Sequence, residues 1–146
     1  MTTSLTPPPV HVVGGLLVAE GRVLLGHRSP HRRWYPDVWD VPGGHVEAGE
    51  SGRAALDREV REELGVTVGS AREHERIRVP GRAATDPAVE LDLWLVTSWT
   101  GTPVNRSPEE HDQLAWFGLD ELPTATLAHP ALEGLLRGIL TDGTPP

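Results

Sequence analysis

Apolar and polar positions alternate along the chain in blocks that assign most of its elements. His11 to Ala19 is an apolar run carrying Gly14 and Gly15, the pattern of a buried strand. Glu20-Gly21 is a turn signal, and Arg22 to Gly26 supplies its hairpin partner. Ser29 to Pro36 reads as a loop, and Val38 to Val41 as a short strand stopped by a Pro42-Gly43-Gly44 turn. Leu56, Val60 and Leu64 stand at i, i+4 and i+8, which predicts a helix over Ser51 to Leu64 with Ser51 as N-cap and Gly65 as its stop. Val66 to Val79 offers one or two strands, and Val89 to Trp99 alternates as a further strand. Leu114 to Phe117 is a short strand, and Leu119 to Leu122 a helical turn ended by Pro123. Pro130 to Leu140 is a closing helix, with Leu132, Leu135, Leu136 and Ile139 on one side. Strands interleaved with two helices predict a layered α/β or α+β fold.

Length and composition narrow this picture. A chain of 146 residues with 38% hydrophobic and 23% charged residues is expected to form one globular domain. That domain is expected over residues 10–140, between disordered tails at 1–9 and 141–146. The sequence contains no cysteine, which excludes disulfides, thiolate metal sites and cysteine nucleophiles. All 13 basic residues are arginine, so lysine Schiff-base chemistry is excluded as well. A net charge of −8 opposes binding to polymeric nucleic acid. No apolar run reaches the ~18 residues of a membrane helix, and no signal peptide is expected. A cytoplasmic protein with no membrane partner is expected.

The central helix carries the candidate chemistry. At about 100° per residue, Glu59, Glu62 and Glu63 share an arc of about 100°. Glu63 falls only ~20° from Leu56, and Glu59 ~60° from it, so these carboxylates border the apolar stripe. Partly desolvated carboxylates need a partner. Arg58 can pair with Glu62 at i, i+4, which leaves two carboxylates for a hard divalent cation. A solvated acidic helix face is the competing reading of the helix alone. The segment Pro42 to Glu50 that leads into it, with Gly43, Gly44 and Gly49, allows the backbone to come close to a ligand.

Loop and helix together resemble the Nudix hydrolase signature. Gly44, Glu50, Arg58-Glu59-Val60, Glu62-Glu63 and Gly65-Val66 match every specified position over the 23 residues from Gly44 to Val66. The resemblance implies an α/β fold, the Nudix α/β/α sandwich with a mixed sheet between helices. It implies hydrolysis of a phosphoanhydride in a nucleoside diphosphate-linked substrate, dependent on Mg²⁺ or Mn²⁺. Glu59, Glu62 and Glu63 would be metal ligands, with the Gly43 carbonyl a further one. Arg58 and Glu50 would form an ion pair that fixes the helix against its loop. A glutamate outside the signature often serves as an additional ligand or base. Glu110 is the candidate, with Glu109 and Asp112 as rivals. Metal-lowered water pKa and a carboxylate proton acceptor suit this chemistry.

Substrate recognition points to the loop with the densest positive charge. Arg28, Arg32 and Arg33 are candidate phosphate ligands, and Trp34 or Tyr35 could stack on a base. An exposed arginine-rich loop is the competing reading. His45 stands where many MutT-like relatives carry lysine, so that lysine's role does not transfer to this substrate-binding candidate. Trp39 is expected in the core. Trp94 and Trp99, five residues apart, are expected on opposite strand faces, one of them free to line a base pocket. Trp116 and Phe117 could be substrate wall or core. Asp86 and Glu90 could face the site, whereas His11, His74, His111 and His129 show no ligand spacing and read as structural or surface residues. The expected substrate is a (deoxy)nucleoside triphosphate or an oxidised nucleotide. Pro80 resembles the downstream proline of ADP-ribose-cleaving relatives, which keeps ADP-ribose or another nucleotide sugar as the alternative. A non-catalytic nucleotide sensor is the alternative of another class, and a homodimer is common in the family.

Overall fold

A computed structural model describes residues 7–32, 35–81, 83 and 85–141. Its strands are β1 (Val10–Ala19), β2 (Arg22–Arg28), β3 (Trp39–Asp40), β4 (Gly43–His45), β5 (Thr67–Val68), β6 (Ala71–Val79), β7 (Val89–Val96), β8 (Trp99–Thr100) and β9 (His111–Phe117). Its helices are α1 (Gly52–Leu64) and α2 (Pro130–Thr141). The large sheet is ordered β3-β2-β1-β7-β6, with β4 paired to β1 and β9 to β2. It is mixed: β1 runs parallel to β7, and its other neighbours are antiparallel.

The apolar run of β1 is continuous because both of its faces are covered. Val13 and Leu17 join Ala55, Leu56, Val60 and Leu64 of α1 in one core. Leu16 and Val18 join Leu132, Leu136 and Ile139 of α2 in the other. A helix on each face of a central sheet gives the α/β/α layering expected above. The β1–β2 hairpin turns at Glu20 and Gly21 with φ of 53° and 73°, the paired left-handed conformation of a tight hairpin. Local signals set the ends of α1. The Ser51 hydroxyl accepts from the Ala54 N–H at 3.1 Å, and Gly65 closes the helix at φ 72°.

Several expectations need correction. Gly43 and Gly44 do not turn the chain; they form β4, paired antiparallel with Gly14 and Val13. Trp99 does not continue β7 but begins β8, which pairs with β5. Trp94 and Trp99 therefore pack on the same α1-side core, and the strand-alternation argument between them fails. The helical turn falls at Leu122–Thr124, with Pro123 inside it. Thr141, expected in the tail, closes α2. Residues 1–6 and 142–146 of the expected tails lie outside the described residues. Among the described residues, no helix is long and apolar enough to cross a membrane.

Candidate active site

The apolar stripe of α1 fixes where its glutamates point. Because Leu56, Val60 and Leu64 face the sheet, Glu63 is carried under it, and only 4% of Glu63 is exposed. Glu59 is half-buried beside β4, whereas Glu62 is 58% exposed at the side chain. Strand β4 makes room for this arrangement. A Cβ on Gly44 would stand 2.6 Å from either carboxylate oxygen of Glu59. A Cβ on Gly43 would overlap the Val13 carbonyl. The Gly43 N–H donates to Glu63 Oε2 at 3.0 Å.

Arg58 ties the helix to the loop before it. Its Nε and Nη2 donate to the two carboxylate oxygens of Glu50 at 2.8 and 2.9 Å. Its Nη1 donates to Glu59 at 2.7 Å, and Nη2 also reaches the His45 carbonyl at 3.0 Å. Glu62 lies 3.5 Å from Nη1. The Arg58 hydrogen bonds hold the Glu50 carboxyl down at about 2. The Glu47 N–H, which donates to Glu50, acts in the same sense.

Across a cleft of about 620 Å³, Glu110 faces Glu63. Glu63, Glu110 and His111 each offer a ligand atom within 4.8 Å of the others. The rivals to Glu110 lie elsewhere: Glu109 is exposed, and Asp112 accepts from His27 Nδ1 at 2.7 Å. Burial, then the charges of Glu59 and Glu110, push the Glu63 carboxyl up to about 9. Burial also raises Glu59, against the hydrogen bond from Arg58. Carboxylates crowded until they resist ionising are short of positive charge, which a divalent cation would supply. The donor set, carboxylate oxygens with one imidazole, suits such an ion. Glu59, Glu63 and Glu110 could hold it, whereas Glu62, exposed on α1 beside Arg58, is not among the residues that line the cleft.

Arg28, Arg32 and Tyr35 line the same cleft, as does the exposed His45. Arg33 and Trp34 lie outside the described residues. The loop is held by Arg28, whose Nε donates to the Tyr35 carbonyl at 2.8 Å. His27 also braces it, with Nε2 3.1 Å from Asp37. Behind Arg28, burial lifts the Asp40 carboxyl to about 6 although the guanidinium opposes the shift. Val10, Val12, Val79, Val89 and Leu91, neighbours across β1, β7 and β6, give the cleft an apolar recess with Leu132, and Pro80, Asp86 and His129 line the cleft too.

Two histidines read as structural from the sequence, His111 and His129, line this cleft. Pairing of β9 with β2 brings His111 there, and chain spacing carries no trace of that register. Its adjacency to Glu110, on the loop before the strand expected from Leu114, is the available signal. Burial, with Arg32 and Arg28 nearby, lowers the His111 imidazole to about 4. Asp86 lines the cleft, but Glu90 is drawn to His11, Arg76 and Arg78. Trp39 packs edge-on against His27 and Phe117, and Trp116 stacks on Trp99, so these rings serve the core.

This fold and its glutamate helix have counterparts in known proteins. The sequence profile described as NUDIX domain matches residues 7–137. CTP pyrophosphohydrolase of Escherichia coli is 34% identical over 132 residues, covering 87% of this chain and 91% of that protein. NAD-capped RNA hydrolase NudC of Stutzerimonas stutzeri is 34% identical over 86% of this chain, which spans 41% of that protein's length. The crystal structure of a MutT NUDIX hydrolase from Burkholderia pseudomallei superposes with a TM-score of 0.80 at 29% identity, covering 94% of this chain and 100% of that one. The chain belongs to the Nudix family and is a Nudix hydrolase, acting on nucleotide phosphoanhydrides. Members of this family generally use divalent metal ions.

Proposed function

We propose that the protein hydrolyses a phosphoanhydride of a (deoxy)nucleoside triphosphate, oxidised forms included, with Mg²⁺ or Mn²⁺. The observation that carries this reading is one cleft lined together by the carboxylates of Glu59, Glu63 and Glu110, by Arg28 and Arg32, and by an apolar recess. A divalent ion held by these carboxylates would lower the pKa of a water and neutralise phosphate charge. Arg32 and Arg28 bind the phosphate oxygens as forked donors. A cleft carboxylate takes the water's proton, and the recess holds the base, with Tyr35 at its entrance. Glu50 and Arg58 position Glu59 from behind without touching substrate.

Arg32 makes no side-chain hydrogen bond or ion pair within 4.0 Å among the described residues, so its guanidinium is available to an anion. Arg32→Ala is expected to raise KM by about 10–100-fold, the worth of a charge-assisted hydrogen bond of ~1.5–3 kcal/mol. The melting temperature should stay unchanged. Steady-state kinetics beside thermal melting check this, and an unchanged KM removes Arg32 from substrate binding.

ADP-ribose or another nucleotide sugar is the second reading, favoured by Pro80 in the lining of the cleft. A hydrolysis screen with Mg²⁺ and, separately, Mn²⁺ tests both. The panel holds nucleoside triphosphates, 8-oxo-dGTP, ADP-ribose, nucleotide sugars and a NAD-capped RNA. The net charge of −8 opposes the polymer. Triphosphate turnover well above all others is expected. Preferred cleavage of ADP-ribose promotes the second reading, and ligand-induced melting shifts without turnover point to a sensor.

A further inference from the structure

We propose that the His111 imidazole is a nitrogen ligand of a divalent-cation position shared with Glu63 and Glu110. We further propose that this position favours a transition-metal ion over Mg²⁺. The inference rests on the hydrolase reading above and adds to it a donor that the glutamate signature does not contain.

Three observations carry it. His111 is 5% exposed, yet its ring makes no hydrogen bond or ion pair among the described residues. Among the described residues the sealed side-chain polar atom without a partner is Trp94 Nε1, so a His111 ring nitrogen without one opens onto the cleft, where it can reach a ligand. The ring is also aimed by design of the sheet. Strand β9 begins at His111, and the neighbouring strand β2 offers Gly26 there; a Cβ on Gly26 would stand 2.7 Å from the ring Cδ2. Only a glycine leaves the imidazole that place. Finally, a ring nitrogen and one oxygen each from Glu63 and Glu110 lie within 4.8 Å of one another. Ligands on one ion with bonds of about 2.1 Å stand ~3 Å apart when adjacent and ~4.2 Å when opposite. A side-chain movement of about 1–2 Å at Glu110, on the turn before β9, closes the set.

The donor type decides the selectivity. Carboxylate oxygens alone suit Mg²⁺, whereas an imidazole raises affinity along the series Mn²⁺, Fe²⁺, Co²⁺. Arg28 and Arg32 stand near the ring and oppose a cation, but Glu59, Glu63, Glu110 and Asp40 in the same cleft outweigh them.

The test uses the full-length protein. Pulsed EPR of bound Mn²⁺ reads nitrogen-14 coupling from a coordinated imidazole, and calorimetry reads Co²⁺ and Mg²⁺ affinity. His45 and His129 line the same cleft, so His45→Gln and His129→Gln serve as controls. The wild-type protein and both controls are expected to show the nitrogen coupling, and His111→Gln to lose it. Loss of partners outside the ligand shell alone weakens metal binding 10–100-fold, so His111→Gln should lower Co²⁺ affinity at least about tenfold. Its Mg²⁺ affinity should change little. Coupling that is absent from the wild type, that survives in His111→Gln, or that vanishes in His45→Gln or His129→Gln overturns the proposal. So does an equal loss of both metals. Should His111→Gln not fold, the wild type and a His45→Gln/His129→Gln double variant decide by the same spectrum. Metal binding without nitrogen coupling sinks this inference alone; failure of Mn²⁺, Co²⁺ and Mg²⁺ all to bind sinks the hydrolase reading with it.

Discussion

Glu63→Gln is expected to lower kcat/KM by about 10³-fold or more, while making the metal-free protein more stable. The two effects have one cause. Glu63 is 4% exposed, and burial with two neighbouring carboxylates pushes its carboxyl up to about 9. Folding at neutral pH without metal therefore makes this group take up a proton. The sign follows from linkage: the folded state binds the extra proton, so stability from Glu63 falls as pH rises from the unfolded value near 4.5 towards 9. At pH 7 that loss amounts to about 3 kcal/mol. Glutamine is nearly isosteric, keeps an oxygen to accept the Gly43 N–H, and has no charge to suppress. Its melting temperature in EDTA should exceed that of the wild type at pH 7 and match it near pH 4. The wild type should gain stability on adding Mg²⁺ or Mn²⁺, and the variant should lose most of that gain. Losing a charged contact to the reacting centre is worth ~3–4 kcal/mol, which sets the activity estimate. Melting curves from pH 4 to 8, with and without metal, beside initial rates check all of this. A variant less stable than wild type in EDTA at pH 7 would remove the argument that Glu63 is held against its charge.

How far the site was legible depends on whether its determinants are local in the chain. Helix α1 was readable because its cap, its stripe and its stop are all within a few residues. The azimuth of Glu63 followed from Leu56 on the same helix, and burial agrees with it. Strand β1 was readable as buried, since a run covered on both faces needs no alternation. Gly43 and Gly44 were misread as a turn because their partner, β1, lies 29 residues back by register, at Gly14. Trp99 was misread because the break after Val96 leaves no mark in hydrophobic periodicity. The cleft wall opposite the helix was the least legible part. Only the family resemblance points to Glu110, and His111 beside it has no ligand spacing in the chain. Both arrive opposite Glu63 through the β2–β9 register, a fact about pairing and not about spacing.

Arg58 carries the second large effect, because a single fork holds three acceptors. Glu50 accepts from Nε and Nη2, Glu59 from Nη1, and the His45 carbonyl shares Nη2. A lysine at this position keeps the charge, but its ammonium is a point donor that cannot span Glu50 bidentately and reach Glu59 as well. Arg58→Lys should therefore free Glu59 to swing from its place over Gly44. Neither Arg58 nor Glu50 lines the cleft, whereas Glu59 does. The expected result is a fall in kcat of about 10–100-fold, the usual cost of losing the partner that orients a metal ligand. KM for the nucleotide should change little, and metal affinity should fall with kcat. Glu50→Gln should give a smaller loss of the same kind. Since both act through the same clamp, the double variant should be scarcely worse than Arg58→Lys alone. A change in KM with kcat intact would instead place Arg58 on the substrate. Strictly additive losses would mean that Glu50 and Arg58 act separately, and would end the case for the clamp as one device.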